Sequence, residues 1–136
     1  EGVKPKIKDL RIADADGNDY SEDFITYAGA RLWVVSNELE KANPAVLASI
    51  SALAVQLEKE YKITTIGLTA TSDMATENIR HELNLMFPFY YCDATTLKTM
   101  VRSNPGVLLI QNGVIINKWA FRALPSAKEI ATQINK

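Results

Sequence analysis

Few residues in this 136-residue chain have the type and spacing that chemistry requires. A single cysteine, Cys92, rules out an internal disulfide, a Cys-rich metal site and dithiol exchange within the chain, since that exchange needs two sulfurs. Cys92 follows the aromatic run Phe89-Tyr90-Tyr91 and precedes Asp93. The expectation is a covered thiol packed as a small hydrophobe, and the alternative is an exposed reactive thiol of lowered pKa. The one histidine, His81, stands four residues after Glu77 on a helical stretch, with no third metal ligand nearby. Joining it to Ser36 and an aspartate as a nucleophilic triad has no motif support. The run Asp14-Ala15-Asp16-Gly17-Asn18-Asp19 carries the carboxylates of a calcium loop. Its sixth and twelfth positions need Gly and Glu but hold Asp19 and Ile25, so it reads as a solvated turn. No glycine-rich phosphate loop or dinucleotide fingerprint occurs. The residues thus offer no catalytic group, no metal site and no cofactor site.

Composition narrows the class further. With 47% hydrophobic residues the chain can bury the core of one ordinary domain, residues 1–136, with residues 1–6 as a polar lead-in. Fifteen basic and sixteen acidic residues leave a net charge of −1 without long runs of either sign, which gives no footprint for nucleic acid. The longest apolar-leaning stretch, residues 46–57, contains two serines and is too short to cross a bilayer. The chain starts on Glu1-Gly2-Val3 without an initiator methionine, and the expectation is a piece of a longer or processed protein.

The elements that must position any site follow from periodicity. Ile7, Leu10 and Ile12 suggest a first strand, and Leu32-Trp33-Val34-Val35 a second, buried one. Ser36-Asn37-Glu38-Leu39-Glu40-Lys41 reads as a polar connection. Asn43-Pro44 then opens a helix, Asn43 as cap and Pro44 at its first position, with Val46, Ile50, Leu53, Leu57 and Tyr61 on the inner face. A third strand over residues 63–69 leads to a helix over residues 72–83 with Ala75, Ile79 and Leu83 inward. A short aromatic strand ends near Cys92, and Asp93 caps a short helix with Leu97, Met100 and Val101 inward. Asn104-Pro105-Gly106 stops that helix and precedes the apolar run 107–110. Asn112-Gly113 then joins this run to Val114-Ile115-Ile116, a hairpin signal, because a type I′ turn needs positive φ at both central residues. A run apolar at every position suits a strand covered on both faces. Ser126-x-x-Glu129 is a capping box for a last helix with Ile130 and Ile134 inward. The expected fold class is α/β, a central mixed β-sheet with helices on both faces.

The arrangement of helix, Arg102-x-x-Pro105, strand, Asn112-Gly113 and strand resembles the second half of the thioredoxin fold, in which the proline is cis. This thioredoxin-like resemblance extends over essentially the whole chain. The tract Cys92-Asp93-Ala94-Thr95-Thr96-Leu97-Lys98-Thr99-Met100 and the segment 102–119 after it look like the C-terminal soluble domain of bacterial DoxX-type membrane proteins. That closer resemblance implies a domain covalently linked to a membrane portion and tethered at the cytoplasmic membrane, on its periplasmic side. Redox-active thioredoxin relatives carry Cys-x-x-Cys where this chain has residues 36–41, and there the helix N-terminus activates the thiolate. No sulfur is present in that stretch, so the implied role is a redox-inactive binding or accessory domain. The alternative is a thiol-dependent oxidoreductase using Cys92 with a partner thiol elsewhere, and a purely structural appendage is the third reading.

The resemblance also implies where a partner would bind. In thioredoxin-like sheets the strand after the proline runs antiparallel to the strand before the first long helix. Ser36 or Asn37 should therefore approach Pro105, with Cys92 buried and farther away. A groove lined by Ser36, Asn37, Glu38, Asn104 and Pro105 would offer backbone for an extended peptide or protein partner. The same residues would equally serve as turns and caps.

Overall fold

The computed structural model describes residues 10–134. The polar lead-in and Ile7 lie outside the described residues. Five strands form one mixed sheet in the order β3-β2-β1-β4-β5. β1 (Ala30–Ser36) pairs in parallel with β2 (Thr64–Thr69), and β2 with the short β3 (Phe89–Tyr91). β4 (Gly106–Gln111) runs antiparallel to β1, and β5 (Val114–Ala120) closes the sheet antiparallel to β4. Helices cover both faces. On one side α2 (Pro44–Tyr61), α3 (Asp73–Leu83) and α5 (Ala127–Thr132) cover a core containing Leu32, Val34, Leu109 and Ile130. On the other, α1 (Ser21–Ile25) and α4 (Ala94–Met100) cover Trp33, Val35, Leu68 and Leu108.

Local chemistry explains most boundaries. Asn43 Oδ1 accepts from the Ala45 and Val46 amides with Pro44 next to it, so the exposed N–H groups at the start of α2 are served. Asp93 caps α4 by accepting from Thr96 N at 3.0 Å. The Ser126–Glu129 capping box is reciprocal, at 3.1 and 3.0 Å. Asn112 (φ 53°) and Gly113 (φ 77°) make the hairpin turn. A Cβ on Gly113 would also lie 2.3 Å from the Ile25 carbonyl oxygen, so glycine is required there by space as well as by φ.

Three expectations are corrected. No first strand forms among the described residues: Ala13 makes single-residue bridges to Asp19 and Tyr91, while Leu10 and Ile12 are buried as anchors. The Ile12 amide goes to Ser21 Oγ in place of a strand partner. The chain then reverses because Asp14 Oδ1 accepts from the amides of Asp16 and Asn18 and Oδ2 from the Asn18 side chain, an Asx turn. The buried face of α2 is turned toward Leu47, Ser51 and Ala54, with Ile50 and Leu57; Val46, Leu53 and Tyr61 pack only at its margin. Ser51 is buried because its Oγ accepts from Met86 N at 2.8 Å. The connection after β1 is not uniformly polar either, since Leu39 in the 3-10 turn Leu39–Lys41 is buried.

Candidate functional site

The antiparallel pairing of β1 and β4 brings the end of one strand to the start of the other, with Val35 opposite Gly106. Ser36 and Asn104 therefore meet across 68 residues of sequence. Ser36 Oγ donates to Asn104 Oδ1 at 2.7 Å. Asn104 Oδ1 also accepts from Glu38 N at 3.4 Å, and Asn104 Nδ2 donates to the Glu38 carbonyl at 2.8 Å. The Asn104–Pro105 peptide bond is cis. Ser103 Oγ donates to the Pro105 carbonyl at 2.7 Å, which closes the turn from the other side. Among the described residues, nothing hydrogen-bonds the backbone N–H or C=O of Asn104.

All five expected groove residues come together, but not all of them line a surface. Ser36 is fully buried and Pro105 is buried, so Ser36 positions Asn104 and does not face an approaching molecule. Glu38 is exposed, while Asn37 and Asn104 are partly so. A cavity of about 300 Å³ opens beside Asn37 and Glu38, with Glu40, Thr71 and Lys98 in its wall. Sequence reasoning missed Thr71, whose hydroxyl accepts from Leu39 N at 2.9 Å and donates to a Glu40 carboxylate oxygen. That bond holds the Glu40 carboxyl below its ordinary value, with smaller help from its own backbone and from Lys41. The Thr-x-Thr step at the end of β2 was the available signal, since Thr71 N in turn donates to Thr69 Oγ1 at 3.1 Å.

Cys92 lies outside this cluster. It sits just past β3, its amide donates to the Thr69 carbonyl at 3.0 Å, and only 8% of its surface is exposed. Burial pushes its thiol pKa up, opposed by the Asp93 amide. The neighbouring Tyr91 is pushed up to about 12, chiefly by burial and then by donating its hydroxyl to Asp73. This environment favours the thiol over the thiolate, the reverse of an activated cysteine. His81 is exposed on α3, 3.8 Å from a Glu77 oxygen. Asp14 is occupied by its own turn, and its pKa is lowered mainly by the Asn18 side chain.

No family model and no curated protein matches this sequence. Solved structures do match it. Peroxidoxin BcpB from Mycobacterium tuberculosis has a TM-score of 0.66 at 9% identity, covering 96% of this chain and 92% of that one. A thiol:disulfide interchange protein of the thioredoxin family from Chlorobium tepidum TLS has a TM-score of 0.65 at 12% identity, covering 98% and 95%. PrxQ from Xylella fastidiosa gives 0.61 at 9%, covering 97% and 94%. With the five-stranded mixed sheet, these likenesses establish a thioredoxin-like α/β fold, the fold of thiol oxidoreductases. At such identities they speak for the fold alone.

Proposed function

We propose that this thioredoxin-like domain is a redox-inactive binding module that takes an extended peptide segment against Asn104. The observation that carries the reading is the pair of unused backbone groups on Asn104, held in place by Ser36 and Glu38. Unpaired N–H and C=O groups on a fixed, partly exposed residue are what strand addition needs. The stretch 36–41 contains no sulfur, and Cys92 is covered with a raised pKa, which argues against the alternative of a Cys92-dependent oxidoreductase. We further propose that residues 1–136 form one domain of a DoxX-type membrane protein, facing the periplasm. Support for this comes from the sequence tract 92–119; among the described residues no helix is long and apolar enough to cross a membrane.

One labelled sample tests both halves. In an insulin-reduction assay the chain should give the no-protein rate, and turnover abolished by Cys92→Ser would overturn redox inactivity. Titrating the same sample with carboxymethylated insulin B chain, as an unfolded polypeptide, should shift the Asn104 amide resonance first. Shifts that spare residues 104–106 would overturn the binding reading.

A further inference from the structure

The opposite end of the sheet, where β1 and β2 begin, holds a second cavity of about 290 Å³. Arg31 lines it, partly buried, with its guanidinium carbon 3.6 Å from the centroid of the Tyr27 ring and 5.1 Å from that of Phe24. A guanidinium lying on a ring face keeps its N–H edges pointing sideways, where they require acceptors. The Arg31 guanidinium has none: no side-chain hydrogen bond or ion pair reaches it among the described residues, and its Nε is covered without a partner. Thr64 stands beside it in register, and the hydroxyls of Thr64 and Thr65 are covered and unpartnered as well. Thr64 shares the face of Arg31, whereas Thr65 points to the face covered by α2, and the cavity is lined by both at the edge of β2. Unmatched polar groups on both sides of one edge are rare in native interiors.

The cavity also follows the backbone. β3 pairs with β2 only from Gly67 onward, so residues 64–66 present an open edge. Gly67 N donates to the Pro88 carbonyl and the Thr69 carbonyl accepts from Cys92 N, so alternation turns the Thr65 backbone groups outward on the same side. Ile66, Met86 and Tyr90 supply an apolar wall. Glu58, from α2, lines the cavity too and forms no ion pair there with Arg31. A site with an unpaired cation, a separate carboxylate and an apolar wall matches one class of small molecule, a zwitterion with an apolar side chain.

We propose that this cavity binds a free α-amino acid with an apolar or aromatic side chain. Arg31 takes the carboxylate as a bidentate pair, Glu58 takes the ammonium, and the side chain lies against Ile66, Met86 and Tyr90. The site is independent of the peptide surface: Ser36 lies five steps along β1 from Arg31, roughly 16 Å along a strand.

The test is a titration with L-phenylalanine, following the Arg31 Nε and the amides of residues 64–66 by NMR. Saturable shifts should appear there while Asn104 stays still. 3-Phenylpropionate, which lacks the ammonium, and phenylalaninamide, which lacks the carboxylate, should each bind about tenfold more weakly, the equivalent of one lost charged contact. Arg31→Gln should weaken L-phenylalanine by at least that factor. Equal binding of all three compounds, or no shift at residues 64–66 with the folded wild-type chain, overturns the proposal without recourse to any variant.

Discussion

At the two ends of the parallel strands the buried hydroxyls are in opposite states, although Asn37 Oδ1 at the finishing end also has no partner. Where β1 and β2 finish, buried hydroxyls are matched: Ser36 with Asn104, Thr69 with the Thr71 amide, Thr71 with Leu39 and Glu40, and Thr76 with the Thr71 carbonyl. Where they begin, Arg31 Nε and the Thr64 and Thr65 hydroxyls have no partner. The difference lies in what covers each end. At the finishing end, backbone returns over the strands, as the turn of residues 37–41 and the entry to β4 at Asn104 both do, bringing amides and carbonyls within reach. At the starting end the cover is largely apolar side chains such as Ile66, Met86 and Pro88, and the Glu58 carboxylate in the same wall forms no ion pair with Arg31. One end is thus a structural network with an unused backbone site at its rim, and the other is a cavity with Arg31 and Glu58 in its wall.

The largest effects should fall at the matched end. A Cβ on Gly106 would lie 2.6 Å from Val101 Cβ, and that contact is between well-anchored segments, so Gly106→Ala should destabilise by about 1–3 kcal/mol through overpacking. The urea midpoint should fall with the slope unchanged; an unaltered midpoint would show that α4 yields freely. Asn104→Ala strips the acceptor from fully buried Ser36 Oγ and should cost about 1–3 kcal/mol. In a double-mutant cycle with Ser36→Ala the two losses should not add, because each variant removes the same bond. Additive losses would mean that the Ser36–Asn104 bond does not organise this end.

Much of the matched end was legible in the sequence. Asn104-Pro105 before a uniformly apolar run, and the Asn112-Gly113 turn after it, fix where β4 starts and which way it returns. Strand direction alone then brings Ser36 to Asn104. That Ser36 faces inward was not legible, because its burial depends on Asn104 supplying an acceptor from far along the chain. Among the described residues the first strand failed because the Ile12 amide donates to Ser21 Oγ and not to a neighbouring strand. The α2 face was misjudged because Ser51 and Ala54, small residues at the closest approach to the sheet, carry no strong hydrophobic signal. Arg31 and the two threonines gave no warning, since an arginine before a buried strand reads as an ordinary solvated end. Only the structure shows that its guanidinium is stacked and unpaired.

The unmatched end should respond in the opposite sense to the matched one. Thr65→Val replaces a buried hydroxyl that has no partner by a methyl group of similar shape. With no hydrogen bond to lose, the change should be neutral or should stabilise by up to about 1 kcal/mol. A loss of stability comparable to that of Asn104→Ala would show that the Thr65 hydroxyl is satisfied in solution, and the contrast between the two ends would collapse.

The smallest expected effect separates the ends by pH. The Glu40 carboxyl at the finishing end is held below its ordinary value of 4.5 first by the Thr71 hydroxyl. A carboxyl depressed on folding adds stability that is fully present above its unfolded value and is lost as pH falls through the folded one. Glu40 is exposed, so the contribution is strongly screened. Wild type should therefore exceed Glu40→Gln in stability by a small, constant margin from neutral pH down to about 4.5, and the margin should shrink below it. Asp14 and Asp19 also have lowered values, from their own turn and from Ser21, but they are present in both proteins and cancel in the difference. Urea midpoints of the two proteins across the acid limb give the measurement. A margin that widens on acidification would mean that Glu40 is raised on folding, and that the Thr71 bond does not hold the turn over β2.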